Sequence, residues 1–292
     1  KPLPWALLPA LTAKLLRGKK LLLDWDEHEL AIISRLSRNP IYLGILGAIE
    51  RCGVKRADGL VVVSPYLKKL ALSWGYDGEK ITIVQNGVDP NGFRAKISPD
   101  ALKKKYRLNG RIIMFLGSLR PQFDIDLVLK AMPLVIKDIK DAKLVIVGGG
   151  SEKKNLEKLS DSLRIRDSVV FLGPQPHELV PSFVHMAEVV VAPNRKNDMN
   201  SSRSPVKIAE YMVIGKPIVA NAVGLAKDML KDGAGELVHS ESPDEMAKKI
   251  VGLLKDRRRG ERMALVAKER ALRFYTWERL GTILTNFIKK RF

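Results

Sequence analysis

Short apolar runs alternate with longer amphipathic stretches along almost the whole chain. Nine runs read as strands: KLLLDW (20–25), GLVVVS (59–64), ITIVQN (81–86), RIIMFLG (111–117), KLVIVGG (143–149), VVFLG (169–173), VVVAP (189–193), PIVAN (217–221) and GELVH (235–239). They are rich in Val, Ile and Leu without polar alternation, as strands covered on both faces are. Between them apolar positions recur at helical spacing, for example over Asp126 to Asp138, Ser151 to Leu163 and Ser242 to Lys255. This alternation predicts an α/β fold of doubly wound parallel sheets. The Gly/Pro/Asn-rich stretch NGVDPNGFRAKISPD (86–100) marks a seam between two such series. Few strand runs precede it, so the first sheet is expected to be short of strands. After Arg259-Gly260 two final helices are expected, the last opening at Thr276-Trp277. Ligands bind at the C-terminal ends of parallel strands, which makes a cleft between the two domains the expected site.

The stretch SSRSPVKIAEYMVIGKPIVA (201–220) carries the first hint of chemistry. Pro205 suits the first position of a helix, and Ser204 before it can cap free N–H groups. Such an end carries partial positive charge and suits an anion such as a diphosphate; Lys207, at the third helical position, adds a full charge. Glu210 is an acceptor for two hydroxyls. An ordinary capped helix accounts for the same residues, and both readings stand at this point.

Composition narrows the partners. The chain of 292 residues is long enough for two cores, and its 46% hydrophobic and 28% charged residues are those of a globular protein. A single cysteine, Cys52, excludes a disulfide framework and fits a reducing compartment, and with four histidines it argues against structural zinc. Fifty-one Lys and Arg against 32 Asp and Glu give a net charge of +19, a field that attracts nucleic acid, anionic membrane or phosphorylated substrates. Nucleic-acid signatures are missing, and 6% aromatic residues are few for stacking single strands. No apolar stretch has the length of a spanning helix. The opening KPLPWALLPALTAKLLRGKK places Trp5, Leu7, Leu8, Leu11, Leu15 and Leu16 beside a basic end, so it reads either as an interfacial helix or as a buried helix of the first domain. The start without Met, in mid-pattern, reads as an N-terminal truncation.

Six stretches in order, ADGLVVVSPYLKKLA, KITIVQNGVD, FLGSLRPQFDIDLVLKAM, LVIVGGG, FLGPQPHELVPSFVHMAEVVVAP and SPVKIAEYMVIGKPIVA, resemble the retaining family-4 glycosyltransferases of the GT-B fold. The resemblance covers about Arg56 to Phe292. It implies an N-terminal acceptor domain (1–93), a C-terminal nucleotide-sugar domain (94–274) and a closing helix (275–292) that returns toward the first domain. Glu210 matches the second glutamate of the family's Glu-x7-Glu motif, which holds the ribose; Ser202 stands where the first should be. Ser204, Pro205, Lys207, Glu210, Tyr211 and Met212 match a Ser-Pro-x-Lys variant of the motif. Where relatives carry an arginine and a Lys-Gly pair near the diphosphate, this chain has Ser118 and Phe123-Asp124, leaving Arg120 as the nearby base. The donor-binding set implied is Gly117, Ser118, Arg120, Gly149, Gly150, Pro174, Ser202, Arg203, Ser204, Lys207 and Glu210. Arg120 reads equally as a surface loop residue, and the GGG run as a tight turn.

The front end, LRGKKLLLDWDEHEL, resembles lipid-linked mannosyltransferases. Family-4 relatives often end this strand with a histidine near the sugar's reactive carbon; by strand register Asp26 takes its place, with His28 close behind, so Asp26, His28 and Lys207 are the expected catalytic residues. The Asp-x-Asp readings of DWD and DID, as metal sites of a one-domain enzyme, are set aside; Asp124 and Asp126 fit a helix start. No metal and no cofactor is expected, the GDP- or UDP-linked sugar being a substrate. The expected function is transfer of a hexose to a hydroxyl of a sugar acceptor, lipid-linked or phosphorylated, in the cytoplasm or at its membrane face, with no nucleic-acid partner. The alternatives left open are a GT-B epimerase, a nucleic-acid-binding protein and an inactive glycosyltransferase-like domain.

Overall fold

Each of the nine apolar runs forms a strand in the computed structural model, which describes residues 1–93 and 95–292 and divides the chain into two units. The first unit comprises Lys1–Gly87, Lys196–Pro205 and Trp277–Phe292, and the second comprises Val88–Arg195 and Val206–Thr276. The sequence reading gave 94–274 to one domain throughout; in the structure the segment Lys196–Pro205 leaves it and packs with the first unit.

In the first unit β1 (Leu22–Trp25), β2 (Gly59–Val62) and β3 (Ile81–Ile83) form a parallel sheet in that order. Helices Pro40–Arg56 and Pro65–Ser73 begin at Asn39-Pro40 and Ser64-Pro65. The Asn39 side chain accepts the N–H groups of Ile41 and Tyr42, and Ser64 accepts that of Leu67. The helix Pro4–Arg17 buries Leu7 against Gly53, and Ala10 and Leu11 pack on the core. Trp5, Leu8, Leu15 and Leu16 are left 64–81% exposed, so the buried-helix reading holds for one narrow stripe only. Helix Trp277–Arg291 covers Gly87 with Trp277 and Leu280, and Phe292 covers Gly59.

In the second unit β4 (Arg111–Leu116), β5 (Ala142–Val147), β6 (Val169–Gly173), β7 (Val189–Ala192), β8 (Ile218–Asn221) and β9 (Glu236–Val238) form one parallel sheet in the order β6-β5-β4-β7-β8-β9. Alternate residues serve opposite cores: Ile112, Met114, Val145 and Val147 pack on one face, and Ile113, Phe115, Leu144 and Ile146 on the other. Two covered faces explain the unbroken apolar runs. Strand order turns outward from β4 and β7, so the loops leaving their C-terminal ends diverge and open a crevice.

One expectation about the helices is corrected. No helix boundary falls at Arg259-Gly260: the Asp256 side chain accepts the Arg259 N–H at 2.9 Å and starts one helix, Arg257–Phe274, that runs through Gly260. Without a side chain Gly260 lets that helix lie against Pro217.

Candidate functional site

The second unit builds one group of functional residues where β4, β5 and β6 end. The loops after β4 and β5 are zipped together: Gly117 N–H donates to Val147 C=O, Leu119 N–H to Gly149 C=O and Glu152 N–H to Leu119 C=O, each at 2.9 Å. A methyl at Gly148 would run into the Gly117 carbonyl, and one at Gly150 into the Leu119 carbonyl. The GGG run is therefore set by close backbone approach, at Gly148 with a left-side φ of +141° as well. Gly117, Ser118, Arg120, Gly149, Gly150 and Pro174 line a cavity of about 510 Å³ there.

Lys207 reaches this wall from its helix. Its Nζ would lie 2.9 Å from a Cβ on Gly117, and it stands 4.3 Å from the Phe115 ring centroid and 4.7 Å from that of Phe123. The departure at Phe123-Asp124 thus has a structural account: Phe123 flanks the ammonium, while Asp124 joins an ion cluster. Arg195 bonds Asp124 Oδ1 at 2.8 Å and grips Asp126 through two bonds of 2.8 and 2.6 Å, its Nε also standing 3.3 Å from Glu241. Burial raises the Asp126 carboxyl, but Arg195 and Lys130, which donates to it at 2.8 Å, more than offset this and hold it down at about 2. The DID carboxylates are engaged in tying the loops after β4, β7 and β9 together. Sequence reasoning missed Arg195, since nothing near it in the chain reveals partners some seventy residues away.

Helix Val206–Ile214 begins one residue later than expected, so Lys207 is its second residue and Pro205 stands before it. The serine is otherwise engaged: Ser204 Oγ accepts the Asn86 N–H at 2.9 Å. Glu210, one turn beyond Lys207, is half-buried and has no hydrogen-bond partner among the described residues. Burial pushes its carboxyl up, with His177 and Lys207 pulling the other way. A partly shielded acceptor with no protein partner suits a ligand's hydroxyls.

The remaining expected residues gather in the first unit. Ser202 is fully buried; its Oγ donates to Met199 C=O at 2.8 Å and accepts the His28 N–H at 3.3 Å, and its carbonyl accepts from Ser64 Oγ at 2.7 Å. It therefore faces protein, as does Arg203, whose Nε donates to Glu27 at 3.1 Å. Asp26 pairs with Lys1 at 3.1 Å, and its Oδ1 is buried without a hydrogen bond among the described residues.

His28 is buried beside Trp25, Tyr66 and Trp74, with ring centroids 6.3–6.4 Å away. Neither of its ring nitrogens has a hydrogen-bond partner among the described residues. Burial lowers its pKa, Asp198 opposing, so the ring is neutral near pH 7. Beneath it Glu50, fully buried, accepts from Trp25 Nε1 and Glu29 N at 2.9 Å and Leu30 N at 3.1 Å, fixing the turn after β1. His28 opens on a cavity of about 710 Å³ lined by Leu30, Ala31, Leu43, Asp198 and Met199, with Arg35 also on its wall. Among the described residues no three His, Cys, Asp or Glu side chains are grouped to hold a metal ion.

Two parallel Rossmann-like sheets with a glycine-lined crevice define the GT-B class. The fold is similar to that of the Anabaena protein HepE in complex with UDP and glucose (TM-score 0.80, 18% identity, 98% of this chain and 75% of that one). It is also similar to sucrose-phosphate synthase from Thermosynechococcus elongatus (TM-score 0.75, 19% identity, 96% and 71%). Residues 99–270 match the family Glycosyl transferases group 1, and residues 4–91 match Glycosyltransferase Family 4. The chain belongs to the glycosyl transferases group 1 family and is a glycosyltransferase by that membership.

Among its relatives is the GDP-mannose-dependent alpha-(1-6)-phosphatidylinositol monomannoside mannosyltransferase of Mycobacterium tuberculosis, 28% identical over 291 residues (98% of this chain, 73% of the relative). The enzyme of the same name from Mycolicibacterium smegmatis is 28% identical over 251 residues (84% and 65%). The chain thus spans about two thirds to three quarters of these relatives' length.

Proposed function

We propose that the chain transfers a hexose, mannose from GDP-mannose being the first candidate, to a hydroxyl of a lipid-linked acceptor, with retention and without a metal. The observation that carries this reading is Lys207, whose ammonium abuts Gly117 at the mouth of the glycine-lined cavity with the unspent Glu210 one turn along. There the ammonium would receive the departing diphosphate, Arg120 on the cavity wall adding charge, while Glu210 takes the ribose hydroxyls. The names of the relatives support GDP-mannose; the UDP-bound neighbours make UDP-sugars the second donor to try.

The cavity under His28 supports the acceptor side. Its apolar wall suits a hydrocarbon segment, and the neutral imidazole can take the hydroxyl proton as the sugar's C1–O bond to the diphosphate breaks and the new C1–O bond forms. Trp5, Leu8, Leu15 and Leu16, with Ile41 and Ile45 on helix Pro40–Arg56, present exposed apolar side chains in a unit whose first helix ends with Lys14 and Arg17. They support residence at an anionic membrane surface on the cytoplasmic face.

The test compares ligands. Lys207→Ala is expected to weaken nucleoside diphosphates and their sugars at least about tenfold while leaving the bare nucleoside unchanged, the loss of one charge-assisted bond being about 1.5–3 kcal/mol. Equal loss for all three, or none for any, measured by calorimetry, sinks the reading.

A further inference from the structure

At the opposite edge of the second unit's sheet, where β4, β7 and β8 begin, lies a cavity of about 910 Å³. Arg111 opens β4, Glu188 precedes β7 and Pro217 precedes β8, whereas the glycine loops leave the other ends of the strands. Six lysines and arginines line it (Lys103, Arg111, Lys216, Lys255, Arg257, Lys268), against two glutamates, Glu188 and Glu261. Both glutamates are already spent: Glu188 holds Arg111 at 2.6 Å, and Glu261 holds Arg257 at 2.9 Å. Lys255 pairs with Asp138 at 3.3 Å. Among the described residues Lys103, Lys216 and Lys268 have no carboxylate partner.

Lys216 is the innermost of these. It is half-buried, and its Nζ donates to the carbonyls of His185 at 2.6 Å and Ala187 at 2.8 Å, which leaves one N–H. The remaining walls are apolar, supplied by Met186, Ile214, Pro217, Leu253 and Leu265. Concave geometry, several unneutralised ammonium groups and apolar walls together suit a ligand that brings negative charge and an apolar body.

We propose that this cavity is a second ligand site, separate from the donor site, for a phosphorylated molecule whose charge is taken by Lys103, Lys216 and Lys268. The electrostatics of Lys216 give it a signature. Burial first, then Lys103 and Arg257, with Glu188 opposing, lower its pKa to about 8. Burial first, then Lys216 and Lys268, likewise depress His185. The other charged neighbours are Arg111, Lys255 and Glu261. Near pH 8 Lys216 is about half neutral, and an arriving phosphate raises its pKa, so binding must draw a proton from solution.

The experiment is calorimetry of inorganic tripolyphosphate on the Lys207→Ala chain, in which the donor site is weakened. One binding event is expected, with more proton uptake by the protein at pH 8 than at pH 6.5 once the anion's own ionisation is subtracted. Lys268→Glu, at an exposed position outside the donor site, should weaken it about tenfold, and Lys103→Glu in the same direction. Vesicles of phosphatidylcholine with phosphatidic acid decide the source. Sedimentation weakened by Lys268→Glu in a Leu15→Glu/Leu16→Glu background identifies a lipid headgroup; tripolyphosphate binding with sedimentation indifferent to Lys268→Glu identifies a free phosphate compound. No binding in the Lys207→Ala chain, or binding indifferent to both lysine variants, overturns the proposal.

Discussion

Glu210 and His28 are both titratable groups held away from water, and the direction of each shift sets a test. Burial raises the Glu210 carboxyl, so between its ordinary value and its folded value the native chain binds more protons than the unfolded one, and rising pH costs stability there. Glu210→Gln should therefore leave the melting temperature equal or higher above pH 5, while nucleotide-sugar binding weakens by about 1.5–3 kcal/mol in calorimetry. A lower melting temperature with unchanged binding would mark Glu210 as structural. His28 is shifted the other way: its folded pKa lies below its ordinary one, so its neutral form contributes stability that is lost as pH falls through that interval. Acid unfolding followed at the Trp25–Trp74 pair, whose rings stack at 5.3 Å, should begin at lower pH in His28→Asn than in the parent chain.

At the scale of elements, the strands were legible because each is covered on both faces and so reads as an unbroken apolar run. The Ser/Asn-Pro rule was applied in the sequence only at Ser204-Pro205, yet it describes Asn39-Pro40, Ser64-Pro65, Ser98-Pro99 and Ser242-Pro243, which all open helices with a side-chain cap. Ser204-Pro205 breaks that rule because a distant backbone group, the Asn86 N–H, claims the hydroxyl. The roles of Ser202, Arg203 and Arg195 were hidden for the same reason: their partners are fixed by topology. The side chain of Asp124 is 1% exposed, so Arg195→Met strands a buried carboxylate and should cost about 2–4 kcal/mol in urea unfolding, with loss of donor binding through the loosened loops. Gly148→Ala places a methyl against the Gly117 carbonyl at a strained φ. A loss of about 2 kcal/mol or more is expected, and an unchanged melting temperature would show that the two loops are less tightly joined than described.

Across the whole molecule the charge of +19 and the exposed apolar side chains of the first unit act together. Co-sedimentation with phosphatidylglycerol vesicles should fall strongly in a Leu15→Glu/Leu16→Glu variant and only partly on raising salt, because the apolar contribution is unscreened. Binding abolished by salt yet indifferent to that variant would reduce it to a plain charge effect. The division of the chain has another bearing, on how it comes to be folded at all. The second unit needs nothing beyond Thr276, but the first waits for Lys196–Pro205 and then for Trp277–Phe292, whose aromatic rings cover Gly87 and Gly59. On the ribosome the earliest-made sheet is thus the last to be completed. For most of synthesis β1, β2 and β3 depend on whatever shields an unfinished core, and pulse-labelled exchange during refolding should protect β4–β9 before β1–β3.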